Sequence, residues 1–104
     1  MYRIEITDQA RNDADAAYEW MRDHISSTYA EAWYQGLFTQ IETLTRHLAR
    51  CPVARESGKF PEEIHEFIYG KHRHKHKYRI LFAIRDETVA ILYVYHSSRN
   101  DLDP

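Results

Sequence analysis

The sequence predicts an α+β domain in which an antiparallel helical hairpin packs on a small antiparallel β-sheet, in the order β-α-α-β-β-β. Three observations carry this reading. The chain opens on a short run of alternating polarity. Two long stripes of apolar residues at spacings of three and four come next, and three runs rich in β-branched and aromatic residues follow them.

In the opening "YRIEITD", Tyr2, Ile4 and Ile6 share one face and Arg3, Glu5 and Thr7 the other, which predicts a half-buried strand. Thr7 or Asp8 is placed to cap the helix behind it by accepting a free backbone N–H. Ala10, Ala14, Ala17, Tyr18, Met21 and Ile25 then trace one helical face, with Arg11, Asp15, Glu19 and Arg22 opposite. "HISST" interrupts the pattern, and Ser26 or Ser27 offers a second cap. In the next helix Ala30, Trp33, Leu37, Ile41, Leu44 and Leu48 form a nearly unbroken stripe, widened by Tyr34 and Phe38. Cys51-Pro52 ends it, because proline lacks an N–H and clashes with the preceding turn. A linker-like stretch, "CPVARESGKFPEE", carries Gly58 and two prolines. Strands are predicted at Ile64–Tyr69, His74–Ile84 and Val89–His96, with "RDET" as a hairpin loop between the last two. "VAILYVYH" is apolar on both sides, as a central strand covered on both faces would be.

Composition agrees with one domain over residues 1–104. Hydrophobic residues make up 43% of the 104-residue chain, and only three glycines and three prolines interrupt it, so a compact core is within reach. No apolar run has the ~20 residues that span a bilayer. The start lacks the layout of a signal peptide, and the single Cys51 has no partner for an internal disulfide, so the cytoplasm is the expected location. Cys51 reads as a packed helix end rather than a nucleophile. No cofactor is expected.

A net charge of −2 hides an uneven distribution. Lys71, Arg73, Lys75, Lys77 and Arg79 stand at alternate positions in "KHRHKHKYRILFAI" with no acid among them. Side chains alternate across a strand, so Tyr78, Ile80, Phe82 and Ile84 should face the helices and the five cations the helix-free face. Rungs roughly 7 Å apart would suit a polyanionic or acidic partner. The plainer alternative is a solvated hairpin end. Arg79, inside the apolar run, is either a functional cation or half of an ion pair with Glu66 or another acid. His72, His74 and His76 offer i, i+2 pairs for a metal, but their cationic neighbours oppose a divalent ion and no Cys or acid completes a motif, so no metal is expected. His96 and Arg99 in "YVYHSSRNDL" form a second group. If the last two strands pair, these two approach Arg79, and a histidine with arginines suits phosphodiester cleavage. The alternative has His96 capping the sheet and Arg99 paired with Asp101 or Asp103.

Taken together, "YRIEITDQARNDADAAYEWM", "AEAWYQGLFTQIETLTRHLARCP", "YRILFAI" and "TVAILYVYHSSRNDL" resemble the RelE/ParE superfamily of toxins from type II toxin–antitoxin systems, also called plasmid stabilisation proteins. The resemblance spans nearly the whole chain and implies the same helical hairpin on a small antiparallel sheet. It also implies a growth-inhibiting toxin neutralised by a cognate antitoxin. The long hairpin and "HSSRND" ending are closer to the ParE branch, whose members poison DNA gyrase without catalysis. RelE-like members are endoribonucleases that cleave mRNA on the ribosome, and the resemblance then assigns catalysis to Arg79, His96 and Arg99. Outside toxins, the alternative is a basic interaction or metal-binding module. In either toxin reading Lys71, Arg73, Lys75, Lys77 and Arg79 are the expected target- or antitoxin-binding residues.

Overall fold

The structure, a computed structural model, describes residues 2–70 and 77–97. Its elements are β1 (Arg3–Ile6), α1 (Asp8–His24), α2 (Ser27–His47), β2 (His65–Tyr69), β3 (Tyr78–Arg85) and β4 (Thr88–His96), with short 3-10 turns at Leu48–Arg50 and Ser57–Lys59. Order and type follow the sequence reading. His72, His74 and His76, and the start of the expected third strand, lie outside the described residues.

Both helices begin where a side-chain oxygen can take an orphan N–H. Thr7 Oγ1 accepts from the Ala10 N–H at 3.2 Å and donates to the Ile91 carbonyl at 2.7 Å, so one hydroxyl starts α1 and ties it to β4. Ser26 Oγ accepts from the Tyr29 N–H at 3.0 Å and starts α2. The helices pack against each other and, through Ala10, Ala14, Met21, Trp33, Leu37, Ile41 and Leu44, onto Ile80, Phe82, Val89, Ile91 and Val94 of the sheet. Each such large side chain contributes about 1.5–3 kcal/mol by leaving water.

The strands lie in the order β1-β4-β3-β2, with β2–β3 and β3–β4 antiparallel. β1 pairs with β4 in parallel, Ile4 beside Val89 and Ile6 beside Ile91, so the sheet is mixed rather than wholly antiparallel. Both helices and two strands separate β1 from β4 in sequence, and no tight turn constrains their direction. β4 is central, as its two apolar sides required. The β3–β4 hairpin turns at Asp86, whose φ of 54° is a left-handed conformation that Asp tolerates better than most residues.

β4 also contains a bulge. Ile84 pairs with Val89 and Phe82 with Ile91, but Leu81 pairs with Tyr93, so Leu92 is the extra residue. Beyond it every side chain of β4 changes face relative to an unbroken strand. Where β1 ends, the Val94 N–H is taken by the Asp13 carboxylate of α1 at 3.0 Å.

The helix-free face is covered too. Residues 52–64 fold back along β2 and over the sheet, with the Ala54 N–H on the Ile64 carbonyl at 2.7 Å and the Glu66 N–H on the Pro52 carbonyl at 2.9 Å. Ala54 and Ile64 join Leu81, Ala83 and Tyr95 in a second, smaller cluster. The linker-like stretch is therefore a strap across a face that the sequence reading left open.

Gly36 of α2 is fixed by a close approach. The Tyr69 hydroxyl donates to the Trp33 carbonyl at 3.0 Å, and a Cβ on Gly36 would stand only 2.2 Å from that oxygen. Gly36→Ala should destabilise the protein by about 1–2 kcal/mol, overpacking outweighing the better helix propensity of alanine. In the Gly36→Ala/Tyr69→Phe double variant the offending oxygen is gone, and urea unfolding should show a loss smaller than the sum of the two singles. Additive losses would contradict the steric account.

Candidate functional site

Strand parity places Arg79 on the helix-free face, as expected, directly opposite Tyr95 of β4. The strap covers it there, and Arg79 is 2% exposed. Its guanidinium grips Glu56 of the strap through two parallel bonds, Nη1 to Oε2 and Nη2 to Oε1, each 2.7 Å. Its Nε donates to Glu66 of β2 at 2.8 Å, and Nη1 also reaches the Tyr95 hydroxyl. The Tyr95 hydroxyl donates in turn to Glu56, and the guanidinium carbon stands 5.3 Å from the Tyr95 ring centroid. Glu56 is fully buried. Three elements thus converge on one cation, and the alternative of an ion pair with Glu66 or another acid is the one realised. Arg79 supplies no outward rung to a cationic ladder.

Electrostatics follow from this geometry. Hydrogen bonds from Arg79 outweigh burial and hold the Glu56 carboxyl down at about 2, against an ordinary 4.5. Arg79 itself is raised, first by Glu56. Burial, and then the bond to Glu56, push the Tyr95 phenol up and keep it neutral. Glu56 and Tyr95 were absent from the sequence-based candidates. The signal that pointed to them was Arg79 itself, since a cation within an apolar strand demands a buried acid, and the strap holds one.

His96 lies on the other face. With an unbroken register, Ile84 beside Val89 would carry Lys77 to His96 and set that histidine on the side of Arg79. The bulge instead pairs Tyr78 with His96, and their rings meet edge-on at 5.3 Å. Tyr78 also packs edge-on to Trp33 at 5.0 Å. Burial raises the Tyr69 and Tyr78 phenols, so neither readily yields a phenolate base. Arg79 and His96 therefore do not share a reacting centre. Lys77 leads into β3, its carbonyl accepting from the Ser97 N–H at 2.8 Å. Lys71, Arg73, Lys75 and Arg99 lie outside the described residues. Among the described residues no cluster of three or more His, Cys, Asp or Glu side chains is arranged to hold a metal, and no helix is long and apolar enough to cross a membrane.

A family model described as the ParE toxin of type II toxin–antitoxin system, parDE, matches residues 4–101. The chain belongs to the ParE toxin family. Its fold is also that of a solved structure described as the chromosomal ParDE TA system from P. aeruginosa, with a TM-score of 0.68 at 20% identity, over 92% of this chain and 96% of the other. Among curated proteins none matches in sequence. In this ParE toxin, then, the arginine of the "YR" strand serves the interior.

Glu56→Ala removes the bidentate partner and leaves Arg79 only Glu66 and Tyr95, so it should cost about 3 kcal/mol in chemical denaturation, the low end for breaking a buried pair. Arg79→Met combined with Glu56→Leu should recover most of that loss. The pH dependence has a definite sign. Because the folded Glu56 titrates below its unfolded value, the stability it contributes is complete above pH 4.5 and drains away as pH falls toward 2. A Glu56→Gln protein should show a flatter stability profile across that window, read by urea midpoints at successive pH values.

Proposed function

We propose that this ParE-family toxin arrests growth by binding DNA gyrase rather than by cutting RNA, and that a cognate antitoxin neutralises it. The observation carrying this reading is the fate of Arg79. Catalysis of phosphodiester cleavage needs a proton-transfer group and a cation within reach of the same phosphate. Here the arginine is saturated by Glu56 and Glu66 on one face, while His96 stands beside Tyr78 on the other. A toxin that acts by occupation needs no such convergence, only an adhesive surface. In this proposal Lys71, Arg73, Lys75 and Lys77 supply the cations of that surface, for the antitoxin, the target, or both. Arg79 fixes the start of β3, the strand that follows them in sequence.

The deciding experiment is induction of the toxin in cells. Failed supercoiling with a DNA-damage response is expected. Rapid, ribosome-dependent mRNA cleavage would replace this reading with the endoribonuclease, and unimpaired growth with the non-toxic module. His96→Ala should retain toxicity. Replacing Lys71, Arg73, Lys75 and Lys77 by glutamate, with Arg79 left in place, should weaken antitoxin binding by at least tenfold at low salt and less at high salt. Unchanged affinity at low salt would remove the basic segment from the contact surface.

A further inference from the structure

The strand order makes β1 and β2 the outer strands of the sheet. Where β4 outruns β1, the Asp13 carboxylate takes the Val94 N–H. Residues 52–54 run beside β2, with Val53 opposite His65. The outer margin of β1 is different. The Arg3 N–H reaches the Glu87 carbonyl at 2.7 Å and the Thr7 N–H the Ile91 carbonyl at 3.1 Å, so residues 3, 5 and 7 turn their backbone groups toward β4. By alternation Ile4 and Ile6 turn theirs away from the sheet, and among the described residues no backbone group answers them. Side chains alternate as well. Ile4 and Ile6 lean on the core but stay half-buried, and Tyr2 before them is 39% exposed. Arg3 and Glu5 stand exposed on the other face, with no hydrogen bond or ion pair among the described residues. Arg85 feels the charge of Glu5, but its guanidinium is held by both oxygens of Glu62.

An open strand edge takes another extended strand, and the flanking side chains decide which one. The stretch Tyr2 to Ile6 is complementary to itself read backwards. Consider two copies paired antiparallel about a two-fold axis at Ile4. The two Ile4 residues then exchange both backbone bonds, and Tyr2 of each copy pairs with Ile6 of the other. Arg3 faces Glu5 of the second copy, and Glu5 faces its Arg3, at the non-hydrogen-bonded positions where cross-strand side chains come closest. On the helix side, Tyr2 covers the open flank of Ile6 of the second copy. Charge rejects the neighbouring registers. An axis at Arg3 sets arginine against arginine, and an axis at Glu5 sets glutamate against glutamate. Axes between residues set outward backbone groups against inward ones. Self-complementarity of this kind is what a two-fold interface requires.

We propose that β1 is a homodimerisation edge, at which a second copy of this chain adds antiparallel with Ile4 opposite Ile4, so that one mixed sheet runs through both copies. The test is sedimentation of the full chain across a range of concentrations, at low and high salt. A concentration-dependent dimer is expected, weakening as salt rises. Arg3→Glu and Glu5→Arg, taken singly, oppose like charges twice in each dimer and should each raise the dissociation constant about tenfold or more. The double variant Arg3→Glu/Glu5→Arg restores opposite charges and should dimerise as the parent does. A mixture of the two single variants should form a heterodimer tighter than either homodimer, because one then carries acids at both positions and the other arginines. All four positions are on the surface, so folding is not at stake. The Ile4 amide should exchange with solvent more slowly as concentration rises, whereas the Arg3 amide, bonded within the sheet, should not respond.

A chain still monomeric at about 1 mM overturns the proposal. So does a dimer indifferent to both single variants, or one that they weaken without recovery in the double variant and the mixture. A dimer that leaves the Ile4 amide unprotected places the interface elsewhere and overturns it equally.

Discussion

The buried contact between Arg79 and Glu56 is the constraint around which the second face of this protein is organised. Arg79 sits on a strand whose neighbours Ile80, Leu81 and Phe82 are fully buried, so its cation has no route to water. A lone charge there would cost many kilocalories per mole, and an arginine cannot escape by losing its proton. Its partner comes from the strap, in bidentate geometry that matches the guanidinium fork. The Tyr95 hydroxyl and Glu66 take up remaining bonding capacity. The apolar cluster under the strap is small; what distinguishes this arrangement of residues 52–64 from others is that it brings a carboxylate to Arg79. Desolvation offsets much of the attraction in a buried pair of this kind, so its removal as a pair costs far less than the loss of one partner.

Much of this architecture was legible in the sequence, and the exceptions have physical causes. Helix starts followed from Thr7 and Ser26, whose hydroxyls do what capping chemistry requires. Parity along "YRILFAI" set Tyr78, Ile80 and Phe82 toward the helices and Arg79 away from them. Periodicity could not reveal the bulge at Leu92, because β4 is apolar on both faces and an extra residue leaves no visible phase error. That one residue carries His96 to the face opposite Arg79. Nor could it show the strap: Gly58 and two prolines read as linker, whereas its order comes from Glu56, Ile64 and Ala54 meeting groups distant in sequence. The parallel pairing of β1 was likewise a long-range outcome that no local turn encodes.

Two of these hidden features, the bulge and the strap, bear on function together. A basic stretch ending in an arginine, with a histidine at the close of the neighbouring strand, suggests phosphate chemistry when read linearly. Folding separates the pieces. The bulge moves the histidine to the aromatic side, against Tyr78 and near Trp33, and the strap encloses the arginine. The nearby phenols are held neutral by burial. Among the described residues Arg79 and His96 thus share no centre, which supports the proposal that this ParE-family chain acts by binding.

The two sheet edges make the same point in backbone terms. An unpaired strand edge is a hazard for any protein, and a charged side chain set against it is an economical guard. Asp13 performs that service on β4 while belonging to α1, so the guard is part of the helix packing. On β2 the chain guards itself only as far as Pro52, although a different residue at that position would have supplied an N–H to continue the ladder. Beyond Pro52 come an exposed isoleucine and a groove with an apolar floor. The carboxylate on β4 and the imino acid beside β2 each fix where backbone pairing ends. The same strap that seals Arg79 with Glu56 on its inner side therefore also sets how far the ladder beside β2 runs.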